Sequence, residues 1–280
     1  MPLAGVLAAM LLLAGISFWD DLRSLGPWVR FTCHAVAAVV VVSSLGLWGS
    51  GVALGLEVGR VYPIPPWLGL AGACIWLAGY TNAFNFMDGI NGLAALQAVI
   101  AGAGSGLLAS LASGLWDLPS ALFAWMVAGA AAGFVPHNFP RARMFMGDVG
   151  SAPLGFLLAV TVLWVPRDAG WWLVIPLLLL HTNFVLDTGI TLLRRVVRGE
   201  RWYLPHREHF YQRLLRSGRT HAFVTLWEAG LQTVVLGLLV AYLHVGVPAR
   251  IGIAAAILML WGGFFAWCER SFRAGGSSER

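Results

Sequence analysis

Apolar residues run through this chain in long continuous stretches, and they do not alternate with polar residues. Nine such stretches approach the length that a helix needs to cross a bilayer. They cover residues 3–19, 31–54, 64–81, 94–114, 120–136, 149–165, 170–193, 222–244 and 250–268. The pattern predicts an all-α, polytopic integral membrane protein with about nine transmembrane helices, because a β-barrel would show short alternating strands.

The composition agrees with this assignment. The chain has 280 residues, of which 59% are hydrophobic and 11% charged, whereas soluble domains carry about 25% charged residues. The first stretch has no basic region before it and no small-residue cleavage site after it, so we interpret it as a span and not as a signal peptide. We expect a single transmembrane catalytic domain over 1–273 and a short disordered tail over 274–280.

The arginines predict the orientation in the membrane. All 18 basic residues are arginine, and 15 of them lie on one side of the membrane if segment 20–30 is cytoplasmic. Only Arg60, Arg167 and Arg250 lie on the other side. The positive-inside rule then places the N-terminus outside and the C-terminus in the cytoplasm. The basic pI is thereby explained without a nucleic-acid partner.

The same orientation places nearly all the unusual polar residues on the cytoplasmic side. A secondary transporter would need polar groups near the middle of the membrane, on broken helices. Only Asn183 and Asp187 stand out there. The distribution favours interfacial chemistry, with a transporter of phosphorylated sugars kept as an alternative.

The most polar motif, residues 81–93, carries Asn82, Asn85, Asp88 and Asn91 at intervals of three. On a helix this spacing places Asn85 with Asp88, and Asp88 with Asn91, on one face. Amides with a carboxylate suit a Mg²⁺–phosphate ligand, because hard cations prefer oxygen donors. The alternative is that amides and small residues join neighbouring helices.

Two further motifs supply carboxylates. Asp20 and Asp21 follow the first apolar stretch, where they could bind a cation, position a phosphate or act as a base. The alternative is a polar helix end with Arg23 as ion-pair partner. Asp148 stands between glycines at the start of a helix, where the helix dipole favours a carboxylate as a cap. The alternative is a functional role, because the flanking glycines leave space for a metal-bound diphosphate.

The fourth motif, residues 205–213, contains His206, Arg207 and His209. Arginine is the preferred bidentate donor to phosphate. Zinc is not expected at the histidines, because the Asn and Asp partners are hard ligands and no cysteine is nearby. The alternative is an amphipathic segment on anionic lipid, a role that we expect for the preceding arginines Arg194, Arg195 and Arg198.

In this order the four motifs resemble the polyprenyl-phosphate N-acetylhexosamine-1-phosphate transferase family (glycosyltransferase family 4). The matching segments are Asp20-Asp21, 82–93, 145–151 and 205–214. Their residues are most similar to those of the bacterial O-antigen initiators. The resemblance implies transfer of N-acetylhexosamine-1-phosphate from a UDP-sugar to undecaprenyl phosphate, with release of UMP. It implies Mg²⁺ as cofactor, with Mn²⁺ possible, and a location in the bacterial inner (plasma) membrane.

The resemblance also implies roles for individual residues. The catalytic residues would be Asp20, Asp21, Asp88, His206 and His209. The substrate-binding residues would be Asn82, Asn85, Asn91 and Arg207. The metal ligands would be Asp148 and Asn85. Asn91 stands where many bacterial members have Asp, and its amide can still pair with uracil.

Members of the family have two more helices, joined by a basic loop, before the paired aspartates. The resemblance therefore leads us to expect a late start of the gene model or a shortened member, and an inactive relative stays open as an alternative. A homodimer is possible. The choice among N-acetylhexosamines is not determined.

Overall fold

A computed structural model describes residues 2–23, 25–57, 59–201 and 206–276. In these ranges the chain is almost entirely helical. The helices in chain order are α1 Pro2–Leu22, α2 Pro27–Ser44, α3 Leu47–Ser50, α4 Pro66–Met87, α5 Leu93–Ser113, α6 Pro119–Asn138, α7 Gly147–Ala169, α8 Val174–Leu180, α9 Thr182–Val197, α10 Phe210–Arg216, α11 His221–Leu243 and α12 Val247–Gly276. A single 3₁₀ turn, Trp171–Leu173, precedes α8.

In the described ranges, six helices are long and apolar enough to cross a membrane: α1, α5, α6, α7, α11 and α12. The α8–α9 pair, bent by 65°, would make a seventh span. Helix α2 is a shorter apolar helix, and α4 carries Thr81, Asn82 and Asn85 in its last two turns. The predicted all-α polytopic fold is confirmed, whereas the predicted number of nine spans is not.

The second predicted stretch, 31–54, is not one helix. Helix α2 ends at Ser44, and a two-stranded antiparallel hairpin follows after the short α3, with strands β1 (Ala53–Glu57) and β2 (Arg60–Pro63). A Cβ at Gly55 would lie 2.8 Å from Trp172 Cα, so glycine lets the strand lie directly against the 3₁₀ turn. The apolar run concealed this hairpin because apolar residues alone do not separate helix from strand.

Helix α7 lies at the centre of the bundle, with α1, α4, α5 and α6 against it. Most of its side chains are buried, from Ser151 through Pro166. It lies closest to α4 at Gly155, where an added Cβ would be 2.6 Å from Phe84 Cβ. Small residues permit such close helix contacts in membranes, where packing drives helix association.

The break between α8 and α9 falls at His181, a fully buried residue. His181 Nδ1 lies 2.7 Å from Tyr80 Oη, and Asn183 Nδ2 donates to Gln97 Oε1 at 2.9 Å. Gln232 Nε2 donates to the carbonyl of Leu180 beside the break. Each bond gives its polar side chains one partner in the apolar bundle. A second atom of four of them has no hydrogen-bond partner among the described residues: His181 Nε2, Asn183 Oδ1, Gln97 Nε2 and Gln232 Oε1.

The contact at Gly155 makes a testable prediction about stability. Gly155→Ala should destabilise the protein by about 1–3 kcal/mol, because α4 and α7 must move apart to admit the methyl group. The matched control is Gly129→Ala in α6, where an added Cβ meets nothing within 4 Å. Thermal unfolding in detergent should show a lower Tm for the first variant only. Equal Tm values would contradict the close packing of α4 on α7.

Candidate functional site

The end of α1 is fixed to the start of α7 by Asp21. Its Oδ1 accepts the backbone N–H of Asp148 at 3.2 Å, and its Oδ2 accepts that of Val149 at 3.0 Å. Gly147 has φ +63°, and a Cβ there would lie 3.1 Å from Asp21 Oδ2. A carboxylate is favoured at a helix N-terminus because the unpaired N–H groups and the helix dipole point at it. Asp21 therefore fixes the first turn of α7, which carries Asp148.

Asp148 meets the second motif through Asn85. The Asn85 amide donates from Nδ2 to Asp148 Oδ1 at 2.9 Å and to Ser151 Oγ at 2.8 Å. Ser151 in turn donates to the carbonyl of Gly147 at 3.0 Å. Two motifs 63 residues apart in sequence are thus in direct contact.

Asp20 is held by its own loop and by an arginine. Its Oδ1 accepts the N–H of Leu25 at 2.6 Å, and its Oδ2 lies 3.0 Å from Arg30 Nη1. The same Nη1 lies 3.9 Å from Asp148 Oδ2. Arg30, and not Arg23, is therefore the ion-pair partner of Asp20. Sequence reasoning missed Arg30 because it belongs to no motif, although it follows the paired aspartates in the same predicted cytoplasmic segment, 20–30.

The donor atoms fit a hard divalent cation. Asp148 offers a carboxylate whose side chain is 38% exposed, and Asn85 Oδ1 accepts no hydrogen bond from the described residues. Among those residues no group of three or more His, Cys, Asp or Glu side chains could hold a metal ion by itself. Mg²⁺ commonly takes one or two protein ligands and completes its shell with water and substrate phosphates.

Asp88 lies just beyond α4, which ends at Met87. The predicted helical face shared by Asn85, Asp88 and Asn91 is therefore wrong. Gly92 adopts φ +80° before α5 begins, so the chain turns where the periodicity implied a continuing helix. Burial, together with repulsion from Asp148, raises the pKa of Asp88 from 3.8 to about 7.

The remaining amides of the second motif bond to the protein. Asn82 Nδ2 lies 3.0 Å from His34 Nδ1 and donates to a carbonyl of its own helix. Asn91 Nδ2 donates weakly to the carbonyl of Pro140 at 3.3 Å, and its backbone carbonyl accepts from Thr225 at 2.8 Å. Neither side chain contacts the Asn85–Asp148 pair. Their substrate-binding roles stay predictions.

The fourth motif packs on the end of α4. His209 is buried, with Nδ1 2.9 Å from Asp187 Oδ1. Tyr211 donates to the carbonyl of Phe86 at 3.1 Å, and a Cβ at Gly89 would lie 2.0 Å from Tyr211 Oη. The absence of a side chain at Gly89 thus admits the tyrosine beside Asp88. Pro205, the first residue of this motif, lies outside the described residues.

His206 and Arg207 precede His209 in this motif. The His206 ring centroid is 4.9 Å from that of His209, and Arg207 is exposed. Partial burial lowers the pKa of His206, and the neighbouring His209 and Arg195 lower it further. A neutral ring at physiological pH can both donate and accept a hydrogen bond.

The arginines before this motif form ion pairs with glutamates of the protein. Arg195 is 8% exposed, with Nη1 2.6 Å from Glu208 Oε1 and 2.8 Å from Glu200 Oε2. Arg198 also pairs with Glu208. Although burial opposes it, the pairing with these two arginines lowers the pKa of Glu208. The lipid role expected for Arg195 is wrong, because its charge is already paired inside the protein.

The profile of the family described as Glycosyl transferase family 4 matches residues 3–165, more than half of the chain. The chain therefore belongs to this family. Decaprenyl-phosphate N-acetylglucosaminephosphotransferase of Mycobacterium tuberculosis is 32% identical over an alignment that covers 90% of this chain and 63% of that relative. The chain thus spans less than two thirds of the mycobacterial relative.

Two other similar proteins carry different names. Phospho-N-acetylmuramoyl-pentapeptide-transferase of Lactiplantibacillus plantarum is 28% identical, over 84% of this chain and 74% of that relative. The probable undecaprenyl-phosphate N-acetylglucosaminyl 1-phosphate transferase of Bacillus subtilis is 27% identical, over 74% of this chain and 56% of that relative. The O-antigen branch stays a prediction.

The raised pKa of Asp88 can be tested directly. Asp148→Asn should lower that pKa, because a neutral amide no longer repels the ionised form. The value should stay above 3.8, because burial is the larger cause. Carboxyl ¹³C NMR titration in Mg²⁺-free buffer would measure it. Asp168→Asn, next to Arg167 and outside this site, is the control. An unchanged Asp88 titration in Asp148→Asn would contradict the assigned cause.

Proposed function

We propose that the protein transfers N-acetylhexosamine-1-phosphate from a UDP-sugar to undecaprenyl phosphate and releases UMP. The observation that supports this most is the junction in which Asp21 holds the start of α7 and Asp148 meets Asn85. In this proposal the site faces the cytoplasm of the bacterial inner membrane. The product would initiate a lipid-linked glycan such as O-antigen or another cell-envelope polysaccharide.

Asp148 and Asn85 are the residues that would hold Mg²⁺. When bound, the ion would neutralise charge on the donor diphosphate. Arg207 is exposed beside this end of the bundle and is suited to donate to a phosphate oxygen. Stabilising the charge of the diphosphate is the main catalytic requirement, because phosphoryl transfer depends on positioning and electrostatics.

The acceptor phosphate must come to the bilayer surface, because its isoprenoid tail stays in the membrane. Asp20, Asp21 and Arg30 lie at the end of α1 and the start of α2. Arg30, 3.9 Å from Asp148, could pair with the incoming phosphate and bring it toward the diphosphate. An acceptor oxygen then bonds to the β-phosphorus, the bond from that phosphorus to the bridging oxygen breaks, and UMP leaves.

A strong base is not required for this step. A phosphate monoester has its second pKa near ~6 and is mostly dianionic at neutral pH. Both oxygens of Asp21 accept backbone N–H groups, and both oxygens of Asp20 have partners. We therefore assign the two aspartates mainly to positioning. A covalent aspartyl-phosphate would require one of them to leave these bonds, and trapping a radiolabelled phospho-enzyme would identify it.

The proposed reaction predicts UMP release from at least one UDP-N-acetylhexosamine with undecaprenyl phosphate and Mg²⁺. Asp148→Asn should lower turnover by about a hundredfold or more, because the charged ligand to the metal is lost. Asp168→Asn, the same chemical change outside the site, should leave turnover near wild type. Both variants should remain folded in detergent. Near-normal turnover of Asp148→Asn would remove the metal assignment.

The positioning role makes a separate prediction for Asp20→Asn and Asp21→Asn. Turnover should fall by about tenfold or more at every pH, because each substitution removes carboxylate hydrogen bonds that position the site. A change in pH alters the protonation of the acceptor phosphate but does not restore those bonds. A pH–rate profile from pH 6 to 10 measures this, with wild type and Asp168→Asn as references. If high pH restores activity, the aspartates act as bases and the positioning role is wrong.

A further inference from the structure

Asp187 is a buried carboxylate that the reaction described above does not use. It lies in α9 with 1% of its surface exposed. Its Oδ1 is 2.9 Å from His209 Nδ1, 3.1 Å from the backbone N of Phe210 and 3.3 Å from Thr191 Oγ1. Its Oδ2 is 3.4 Å from the backbone N of Tyr211. One carboxylate thus holds a histidine ring and the first two N–H groups of α10.

These contacts define which atom of the imidazole carries the proton. Backbone N–H groups can only donate, and they approach both oxygens of Asp187. The carboxylate is therefore the acceptor, and His209 Nδ1 is the donor. Such a pair fixes both the tautomer and the orientation of the ring.

The segment held in this way is also in contact with the site. The His206 ring packs against the His209 ring at 4.9 Å between centroids. Tyr211, the second residue of α10, donates to Phe86 and occupies the space left at Gly89. A shift of His209 would therefore move His206 and the contact beside Asp88 together.

We propose that Asp187 is a positioning residue, which holds His209 and the start of α10 so that His206 packs on His209 and Tyr211 lies against the end of α4. It does not touch the substrate and acts through His209. The activity measurement below rests on the proposed function. The hydrogen-exchange measurement does not.

Asp187→Asn keeps the shape of the side chain but offers one acceptor oxygen where the carboxylate has two. It cannot accept from both the imidazole and the Tyr211 N–H, so part of the segment loses its anchor. Hydrogen–deuterium exchange of residues 206–216, followed by mass spectrometry in detergent, should be about tenfold faster or more, with α5 unchanged. The control Asp117→Asn, the same change at an exposed position, should leave both regions unchanged. Unchanged exchange over 206–216 in Asp187→Asn would overturn the proposal.

A double-mutant cycle separates positioning from general destabilisation. Asp187→Asn and His209→Ala should each lower kcat/KM for the UDP-sugar by about tenfold or more. The kcat/KM of the double variant should be no lower than that of the more impaired single variant, because the two residues act as one unit. If the two losses multiply, Asp187 does not act through His209. A wild-type enzyme with no turnover on any UDP-sugar would defeat the proposed function alone, since the exchange result stands independently.

A further measurement uses the wild-type protein, in case Asp187→Asn does not fold. ¹⁵N NMR of labelled histidine, assigned by the signal lost in His209→Ala, reports the protonated ring nitrogen. A proton on Nδ1 of His209 is the expected result. A bare Nδ1 with the proton on Nε2 would contradict the Asp187 pair.

Discussion

The site depends on the bond between one carboxylate and the start of one helix. Asp21, at the end of α1, accepts the N–H groups of Asp148 and Val149, and this fixes α7 at its first turn. Only from that position does Asp148 meet Asn85 at the end of α4. The helix dipole favours the arrangement, because the carboxylate lies where the unpaired N–H groups concentrate positive potential. Three helices that are distant in sequence thereby present oxygen atoms to one point.

The apolar surroundings favour polar groups that bond to one another, although several buried side-chain atoms, among them His181 Nε2 and Glu228 Oε1, have no hydrogen-bond partner among the described residues. Polar groups that face hydrocarbon without a partner cost several kcal/mol, so such groups persist where they pair with one another. Asp187 and Arg195, both nearly inaccessible, follow this rule through several partners each. Large exposed apolar side chains such as Trp28 and Ile75 are the complementary feature, since a lipid-facing surface has no need to hide them.

Two groups of aspartates hold the site, and they differ in how close to the surface they lie. Asp20 and Asp21 bond to loops and a helix end near the surface, so an incoming phosphate could compete for Arg30. Asp187 instead is buried and accepts the backbone N–H of Phe210 at the start of α10. A half close to the surface and a buried half suit the proposed reaction, in which a lipid phosphate and a nucleotide sugar would both enter the site.

The sequence by itself determined the membrane-embedded helical class, the family and the four motifs, because continuous apolar runs and clustered polar residues are local patterns. It did not determine the hairpin between α2 and α4, because apolar residues alone do not separate strand from helix. It also missed the end of α4 before Asp88, where glycine conformation overrode a regular spacing. Only the tertiary structure decided that Arg30 joins the aspartates and that Asp187 holds His209. Those partners come from different helices, and packing, not sequence spacing, brings them within hydrogen-bond distance.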